Sequence, residues 1–280
     1  MPLANVNGIT INYLFHDPPG FKDDTSLVVL VNGLADDHTT WSAQTSAFLS
    51  AGYRILTYDH RGIGQSSKPP GPYTADLLAT DLHELLKSLK IDKANFVGVS
   101  MGGMVLQSYL LTYPNNSSKF GSMEKVVLAC TYAAPEEFCS RLFSLWADMA
   151  VKMSVRDVMR DVLLWAFTPS FFEERGNEVG GLEGVEMGRE AYLSQLDVIR
   201  GFDTRGELEK ERGFGGLEGG KVMVLAGEED ILIPVRLSRE LAGRVEGCVW
   251  KTVKGCHACL WEYPDSFNSA VLDFLNGDKS

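Results

Sequence analysis

A serine between glycines is the pattern in this chain that most directly predicts chemistry. The segment Gly98-Val99-Ser100-Met101-Gly102-Gly103 follows an apolar run typical of a buried strand and precedes a helical pattern. A strand-to-helix turn this tight forces the serine into a strained backbone conformation that exposes its hydroxyl, and glycine two positions to either side avoids a collision. The alternative interpretation is a helix that simply begins with small residues, which would have a similar sequence. The context nevertheless predicts a nucleophile elbow with Ser100 as the nucleophile.

A serine hydroxyl becomes a good nucleophile only when a base takes its proton and a carboxylate orients that base. His257 is the candidate base because it follows the last strand-like run, where an open sheet presents its loops. The carboxylate is expected between the serine and the histidine in chain order. Asp230 fits after the fifth strand-like run, whereas Glu228 and Glu229 are interpreted as solvated loop charges. We therefore predict Ser100, Asp230 and His257 as a catalytic triad.

Attack by a serine on a carbonyl also requires donors for the negative charge that develops on the carbonyl oxygen. The backbone N–H of Met101, at the start of the helix, is one predicted donor. The other is expected from the loop after an earlier strand, where Asn32-Gly33-Leu34 offers the N–H of Leu34. Loss of one such donor costs about 3–4 kcal/mol of transition-state stabilisation. We predict these two N–H groups as the oxyanion hole.

Short apolar runs predict the strands that position these residues. They occupy residues 26–31, 53–58, 94–99, 125–130 and 221–226, with an alternating run at 248–253. Asn7-Gly8 adds a hairpin signal. Helical patterns alternate with these runs at residues 75–89, 103–113, 235–242 and 265–275. Strand alternating with helix predicts an α/β fold with a mostly parallel sheet flanked by helices.

The alternation stops between residues 130 and 221, where helical patterns occur at residues 135–153, 155–167 and 191–202 without a convincing strand. An insertion of about ninety residues is too long for a plain connection. We interpret residues 133–219 as a helical cap inserted between the two parts of one core, residues 1–132 and 220–280. Most aromatic side chains of the cap are expected to pack against the core, and Trp146 and Trp165 are the candidate substrate-binding residues.

Composition and charge exclude several partner classes. The chain has 280 residues, of which 45% are hydrophobic and 22% charged, and its formal charge is −11. This acidity argues against a nucleic-acid partner or an anionic membrane surface. The five cysteines, in a chain with neither a leader pattern nor an 18-residue apolar run, predict reduced thiols in a cytoplasmic protein. The oligomeric state is left open, and a homodimer is one of the possibilities. Cys256-His257-Ala258-Cys259 lacks the second ligand pair of a structural zinc site, so we predict no metal and no cofactor.

On these residues the chain resembles the α/β-hydrolases. Residues 58–66 (YDHRGIGQS) resemble the Asp-x-Arg-Gly-x-Gly-x-Ser loop of that fold, in which Asp59 and Arg61 are expected to shape the loop. Gly227-x-x-Asp230-x-x-x-Pro234 matches the acid loop of the family. Many members have His-Gly where this chain has Asn32-Gly33, so we expect Asn32 to make different polar contacts.

Within that fold the chain is most similar to small enol-lactonases, including the 3-oxoadipate enol-lactonases, and to aminoacrylate-hydrolysing enzymes of pyrimidine breakdown. The similarity is carried by residues 255–259 (GCHAC), 263–268 (YPDSFN), 192–196 (YLSQL) and 202–205 (FDTR). It implies a serine hydrolase that cleaves an ester or lactone of a small metabolite through an acyl-enzyme. The same triad could instead serve C–C bond hydrolysis or perhydrolysis, and some proteins of this fold bind or isomerise a ligand without hydrolysis.

Much of the acidity falls in the predicted cap, so we interpret it as a property of the lid surface rather than of the site. The acidic side chains concerned are Glu173, Glu174, Glu178, Glu183, Glu186, Glu207, Glu209 and Glu211. The predicted site is mostly neutral and apolar. We therefore expect a neutral, moderately apolar substrate rather than a dianion, unless a cap arginine reaches the pocket. The candidates for such a contact are Arg141, Arg160, Arg189 and Arg205.

Overall fold

A central β-sheet of eight strands runs through the described part of the chain. The computed structural model describes residues 2–114, 119–179, 187–211, 213–217 and 220–277, so the predicted acidic positions Glu183 and Glu186 lie outside the described residues. The strands are β1 (Leu3–Val6), β2 (Ile9–His16), β3 (Leu27–Val31), β4 (Arg54–Tyr58), β5 (Lys93–Val99), β6 (Ser122–Ala129), β7 (Val222–Gly227) and β8 (Val249–Val253). Their order in the sheet is β1-β2-β4-β3-β5-β6-β7-β8. β2 is antiparallel to both of its neighbours, and the strands from β4 to β8 pair in parallel.

Helices cover both faces of the sheet. They are α1 (Ser42–Ser50), α2 (Ala75–Ser88), α3 (Met101–Thr112), α4 (Glu137–Lys152), α5 (Val155–Ala166), α6 (Pro169–Val179), α7 (Arg189–Arg200), α8 (Arg205–Glu211), α9 (Val235–Arg244), α10 (Cys259–Glu262) and α11 (Pro264–Asn276). A short 3₁₀-helix, His38–Trp41, precedes α1. None of the described helices combines the length and the apolar character that crossing a membrane requires.

The middle of the sheet is buried on both sides, which explains the unbroken apolar runs in the sequence. All five residues of β3 are buried; Val29 and Val31 pack on one face with α2 and α3, and Val28 and Leu30 pack on the other with α1 and α11. Parallel strands that are covered by helices on both faces require apolar residues at every position. The hairpin predicted at Asn7-Gly8 is formed by β1 and β2.

Most predicted elements occur, with shifted ends. The predicted strand at residues 125–130 is β6, which begins earlier, at Ser122, and ends at Ala129 because Cys130 adopts a left-handed φ of 49°. The helix predicted at residues 103–113 begins at Met101, directly after the serine. Helices α1, α6 and α8 have no predicted counterpart: their sequences are short and polar, and α6 is kinked at Arg175.

Helices α4 to α8 lie between β6 and β7 in the chain, and we call them the cap helices. They are hydrogen-bonded to core loops at several points, of which two lie near the predicted site. In α7, the Gln195 side chain accepts a hydrogen bond from Ala35 N at 3.0 Å and donates one to Arg61 O at 3.0 Å. At the end of α5, Ala166 O accepts a hydrogen bond from Ala258 N at 2.8 Å. The core loops that follow β3 and β8 are therefore held by the cap helices.

Candidate active site

Ser100 lies at the turn between β5 and α3, in the conformation that the elbow requires. Its φ is 55° and its ψ is −118°, and its N–H donates to Ala129 O at 2.9 Å. A Cβ on Gly98 would lie 2.6 Å from Gly102 O, and a Cβ on Gly102 would lie 2.1 Å from Val31 O. Both glycines are therefore required by close backbone approaches, the second by contact with β3 rather than across the turn itself.

His257 and Asp230 are hydrogen-bonded to each other. His257 Nδ1 lies 2.8 Å from Asp230 Oδ2, and the other carboxylate oxygen of Asp230 accepts from Ile233 N at 2.9 Å. The Asp230 side chain is fully buried, whereas 12% of the His257 side chain is exposed. The carboxylate is thus fixed and shielded from water, whereas the imidazole lines the cavity and is partly exposed. Ser100 lines the same cavity as His257, although its hydroxyl has no hydrogen bond to a described residue.

The loop that carries the histidine is clamped by a buried glutamate. Glu262 Oε2 accepts a hydrogen bond from Cys256 N at 2.7 Å, and Glu262 Oε1 accepts one from Thr168 N, which follows α5. A Cβ on Gly227, at the end of β7, would lie 2.0 Å from Cys256 O. Because β7 and β8 pair up to Gly227 and Val253, the loops carrying the acid and the base leave the sheet side by side.

The two predicted oxyanion donors lie at adjacent strand ends. β3 and β5 pair at Val31 and Gly98, so the loop containing Leu34 begins beside the elbow. A Cβ on Gly33 would lie 3.6 Å from Ser100 Cβ. Leu34 lines the cavity, and Met101 is the first residue of α3, where the N–H groups of a helix have no partner within it. This arrangement places Leu34 and Met101 on the two sides of the strand ends that carry Ser100, and the role of their N–H groups stays a prediction.

Asn32, where the resemblance led us to expect unusual contacts, holds this loop from inside. Its amide donates to Tyr58 O at 3.0 Å and to Asp36 O at 3.1 Å, and its side-chain oxygen accepts from Trp41 Nε1. His60 Nε2 lies 3.3 Å from Asn32 O, and burial lowers the pKa of His60 to about 4. Asn32 therefore has a structural role in the loop that follows β3, and the lowered pKa keeps the neighbouring His60 neutral.

Asp59 and Arg61 also shape loops, as the resemblance implied. The buried Asp59 carboxylate accepts hydrogen bonds from Asn12 Nδ2, His38 N and Gln65 N. Arg61 forms a buried two-bond pair with Asp81, each N···O distance being 2.6 Å. Neither residue lines the cavity at Ser100.

The cavity above Ser100 has an apolar roof and a floor that carries the polar groups; its volume is about 90 Å³. The roof consists of cap residues Phe143, Trp146, Met159, Val162, Leu163, Ala166 and Ile199. The floor consists of core residues that include Leu34, Asp36, Ser100, Leu232, His257 and Trp261. A small, mostly apolar cavity with a few converging polar groups is typical of a site for a small molecule.

The two tryptophans predicted to bind substrate lie in different places. Trp146 lines the roof, with its indole N–H donated to Asp161 Oδ2 at 2.8 Å. Trp165 is not among the described lining residues; its ring packs edge-on against Phe138 at 5.9 Å. Trp261, which the sequence reasoning did not single out, lines the floor, and its indole N–H donates to Thr40 O.

Asp36 is the ionisable floor residue that the sequence reasoning missed. A Cβ on Gly33 would lie 2.9 Å from Asp36 Oδ2, on the side that also faces Ser100. Burial, and to a smaller extent the neighbouring Asp37 carboxylate, raise the pKa of Asp36 to about 7, although His257 and hydrogen bonding by Thr40 and the Gly33 backbone act in the opposite direction. The position of Asp36, two residues after a predicted oxyanion donor, is the only sequence signal that could have drawn attention to it.

The five cysteines carry free thiols with separate environments. Cys256 Sγ contacts Trp165 O at 3.3 Å, whereas Cys259 Sγ lies 3.6 Å from Cys130 Sγ. Burial raises the pKa of Cys256 to about 12, and the hydrogen bond to Cys259 together with burial raises the pKa of Cys130. The two thiols of the Cys-His-Ala-Cys segment therefore face different partners, and the raised pKa keeps Cys256 protonated.

Two clusters of potential metal ligands occur in the described part of the chain. They are Cys130, Asp230 and His257, and Asp37, His38 and Asp59, with ligand atoms within 4.8 Å of one another in each cluster. In both clusters the histidine Nδ1 already pairs with a carboxylate oxygen at 2.8 Å. Hydrogen bonds therefore explain the close approach of the histidine and the carboxylate in each cluster without a metal ion.

Comparisons with known proteins agree with this architecture. A family model described as the alpha/beta hydrolase fold matches residues 26–137. The crystal structure of an enol-lactonase from Burkholderia xenovorans is similar with a TM-score of 0.84 and 29% identity, over 98% of this chain and 100% of that one. The chain has the α/β-hydrolase fold. This confirms the predicted fold class, with its mostly parallel sheet flanked by helices.

Two curated relatives extend the similarity over most of the chain. A 3-oxoadipate enol-lactonase 2 from Acinetobacter baylyi is 27% identical, covering 89% of this chain and 88% of that protein. A putative carbamate hydrolase, RutD, from Caulobacter segnis is 26% identical, covering 90% of this chain and 91% of that protein. The chain is therefore similar over most of its length to proteins that are named for different hydrolytic reactions.

Proposed function

We propose that this protein is a serine hydrolase that cleaves an ester or lactone bond in a small, uncharged, moderately apolar metabolite. The observation that carries the proposal is that Ser100 and the hydrogen-bonded His257–Asp230 pair face one apolar cavity. A strained serine, a histidine oriented by a buried carboxylate and two backbone donors are the parts that acyl transfer needs. The similarity to a lactonase and to a carbamate hydrolase supports a hydrolytic reaction at a carbonyl.

In the proposed reaction His257 Nε2 takes the proton of Ser100 as its oxygen attacks the substrate carbonyl. Asp230 accepts a hydrogen bond from His257 Nδ1–H, which holds the imidazole in the required tautomer, and it stabilises the positive charge of the imidazole without taking the proton. The N–H groups of Leu34 and Met101 donate to the oxyanion. His257 then protonates the leaving oxygen, and a water molecule, activated by the same base, hydrolyses the acyl-enzyme.

The charge distribution favours an uncharged substrate. The four cap arginines that could have held an anion are absent from the described lining of the cavity. Three of them pair at the surface: Arg141 with Glu137, Arg160 with Asp157 and Arg205 with Asp203. Arg189 is exposed at the start of α7. An anionic group in the cavity would therefore lose its hydration without gaining a cation.

We further propose that residues 133–219 act as the lid that selects substrates by size. The roof residues all come from the cap helices, and the roof side chain Trp146 is anchored through its indole to Asp161. An apolar roof of fixed shape restricts the acyl or alcohol groups that can enter, while the core residues below carry out the chemistry.

The proposal is tested by covalent labelling and turnover. The wild type should react with a fluorophosphonate probe and hydrolyse at least some members of a panel of small lactones, aryl esters and vinylogous diketones. Ser100→Ala should abolish labelling and lower kcat by about 10³-fold or more, because no other group can form the acyl-enzyme. Ser46→Ala, an exposed serine on α1, is the matched control.

A folded Ser100→Ala protein that keeps most of the activity would overturn the assignment. Absence of labelling in the wild type, together with thermal stabilisation by an unhydrolysed panel compound, would indicate a ligand-binding member of the fold. Higher kcat/KM for the diketones than for the esters and lactones would move the assignment to C–C bond hydrolysis.

A further inference from the structure

Asp36 is the acidic side chain in the cavity that the proposed mechanism does not use. Among the described lining residues, the other side chains with polar atoms are Ser100, His257 and two tryptophans, and both indole N–H groups are donated elsewhere, to Asp161 and Thr40. A substrate in this cavity therefore meets one polar side chain besides the proposed nucleophile and base.

The carboxyl group lies beside the reacting atoms rather than at a distance from them. A Cβ built on Gly33 would lie 2.9 Å from Asp36 Oδ2 and 3.6 Å from Ser100 Cβ, so both groups lie next to the same side of Gly33. Leu34, the proposed oxyanion donor, lies between Gly33 and Asp36 in the chain. A substrate bound against Ser100 therefore shares this small cavity with the Asp36 carboxyl.

Asp36 also borders the polar pocket that adjoins the cavity. The charged residues around that pocket are Asp37, Lys68, Arg175 and Glu178. The two cations have other partners, since Lys68 Nζ donates to Gly64 O at 2.9 Å and Arg175 pairs with Glu178 at 2.6 Å. The groups that act on the charge of Asp36 most strongly are Asp37, which opposes ionisation, and His257, which favours it.

We propose that Asp36 determines specificity in this site by rejecting anionic substrates and favouring uncharged substrates that offer a hydrogen-bond donor near the scissile bond. The proposal rests on the serine-hydrolase function above. An ionised Asp36 repels a carboxylate across the apolar cavity, where few water molecules screen the interaction, and it accepts a hydrogen bond from an amide or hydroxyl group.

The test compares 4-acetoxybenzamide with 4-acetoxybenzoate, two acetate esters whose leaving groups have nearly the same shape and differ in charge. At pH 8 the wild type should prefer the amide by about tenfold or more in kcat/KM, which corresponds to about 1.4 kcal/mol of repulsion between the two carboxylates. Asp36→Asn should reduce this preference at least fivefold. Asp37→Asn should keep it, because Asp37 borders the outer pocket and not the cavity.

The pH dependence provides a second measurement that needs no variant. Because the pKa of Asp36 is about 7, the preference of the wild type should fall as the pH is lowered from 8 to 6, while Asp36→Asn should show no such change. Equal preference in the wild type and Asp36→Asn, with both labelled by the fluorophosphonate, would overturn the role of Asp36 alone. A wild type that is not labelled would overturn the proposed function, and the role of Asp36 with it.

Discussion

The floor of the cavity, built from core loops, differs from the roof, built from cap helices, in the way each is held. The floor contains a strained serine, a buried carboxylate–imidazole pair and a partly buried aspartate, each fixed by directed hydrogen bonds. The roof is a set of apolar side chains packed together, and its polar anchors lie behind the surface that faces the cavity.

Substitutions in the floor and in the roof should therefore change different kinetic properties. Hydrogen-bonded groups on the floor act on the charge that develops during the reaction, so their loss should lower kcat. Apolar side chains of the roof contact the substrate before and during the reaction alike, so their loss should change KM and the preferred substrate size. A floor substitution that changed only KM, or a roof substitution that changed only kcat, would show that floor and roof do not act independently.

Gln195, a cap residue, is hydrogen-bonded to the core loops of the floor, and its replacement should have a large effect on kcat. Its side chain holds Ala35 N and Arg61 O, and Ala35 has a left-handed φ of 59° that a non-glycine residue adopts only at a cost. Gln195→Met keeps the volume but leaves both backbone groups unpaired, at about 1–3 kcal/mol each. We expect kcat to fall about tenfold to a hundredfold, less than the loss of an oxyanion donor itself, with KM little changed.

The control for Gln195 is Asp197→Asn on the same helix, whose exposed side chain pairs with Arg200. It should keep wild-type kinetics. If Gln195→Met instead raised KM and left kcat unchanged, the side chain would belong functionally to the roof, and the oxyanion loop would hold its conformation without it.

Trp146→Leu and Trp165→Leu form a matched pair that tests the roof. Removal of the Trp146 ring enlarges the cavity, so kcat/KM for esters with longer acyl chains should rise relative to that for acetate esters, by about three- to tenfold. The same change at Trp165 should leave this ratio unchanged, because that ring packs against Phe138 outside the described lining. A chain-length series of aryl esters measures both, and an equal change in the two variants would contradict the assignment of the roof.

Sequence patterns predicted the fold, and they predicted that Ser100, Asp230 and His257 follow successive strands, because strands and the elbow leave local patterns in the sequence. Buried parallel strands give unbroken apolar runs, and the elbow requires glycines that few other structures need. Helix α1 was missed because only two of its nine residues are buried, Gln44 and Phe48, and the first of these is polar. Its sequence therefore shows no apolar face with a helical period.

The parts of the site that sequence could not resolve depend on orientation. Trp146 and Trp165 are both cap tryptophans whose indoles donate to Asp161, yet only the first faces the cavity in the described lining. Asp36 and Asp37 are adjacent and identical in type, but Asp37 caps the 3₁₀-helix by accepting from Thr39 N, whereas Asp36 turns toward the serine. Helix rotation and loop conformation decide these outcomes, and neither leaves a pattern in the sequence.

The stability of the floor should depend on pH in a way that the roof does not share. Folding raises the pKa of Asp36 from 3.8 to about 7, so between these values the folded chain retains a proton that the unfolded chain has released. The contribution of Asp36 to stability is therefore present below about pH 4 and is lost as the pH rises toward 7. Asp36→Asn, which does not titrate, should gain about 2 kcal/mol relative to the wild type between pH 5 and pH 8, a value reduced because the carboxyl is partly exposed.

Urea unfolding of the two proteins at pH 5, 6.5 and 8 measures this difference. Asp37→Asn removes only the smaller of the two effects that raise the pKa of Asp36, so it should keep most of the pH dependence of the wild type. Trp146→Leu, in contrast, should be destabilised by a similar amount at each pH, because the loss of apolar packing involves no proton. A stability difference between Asp36→Asn and the wild type that does not change with pH would mean that the Asp36 carboxyl is as well solvated in the folded chain as in the unfolded one. The floor would then hold no desolvated carboxyl that is available to discriminate between substrates.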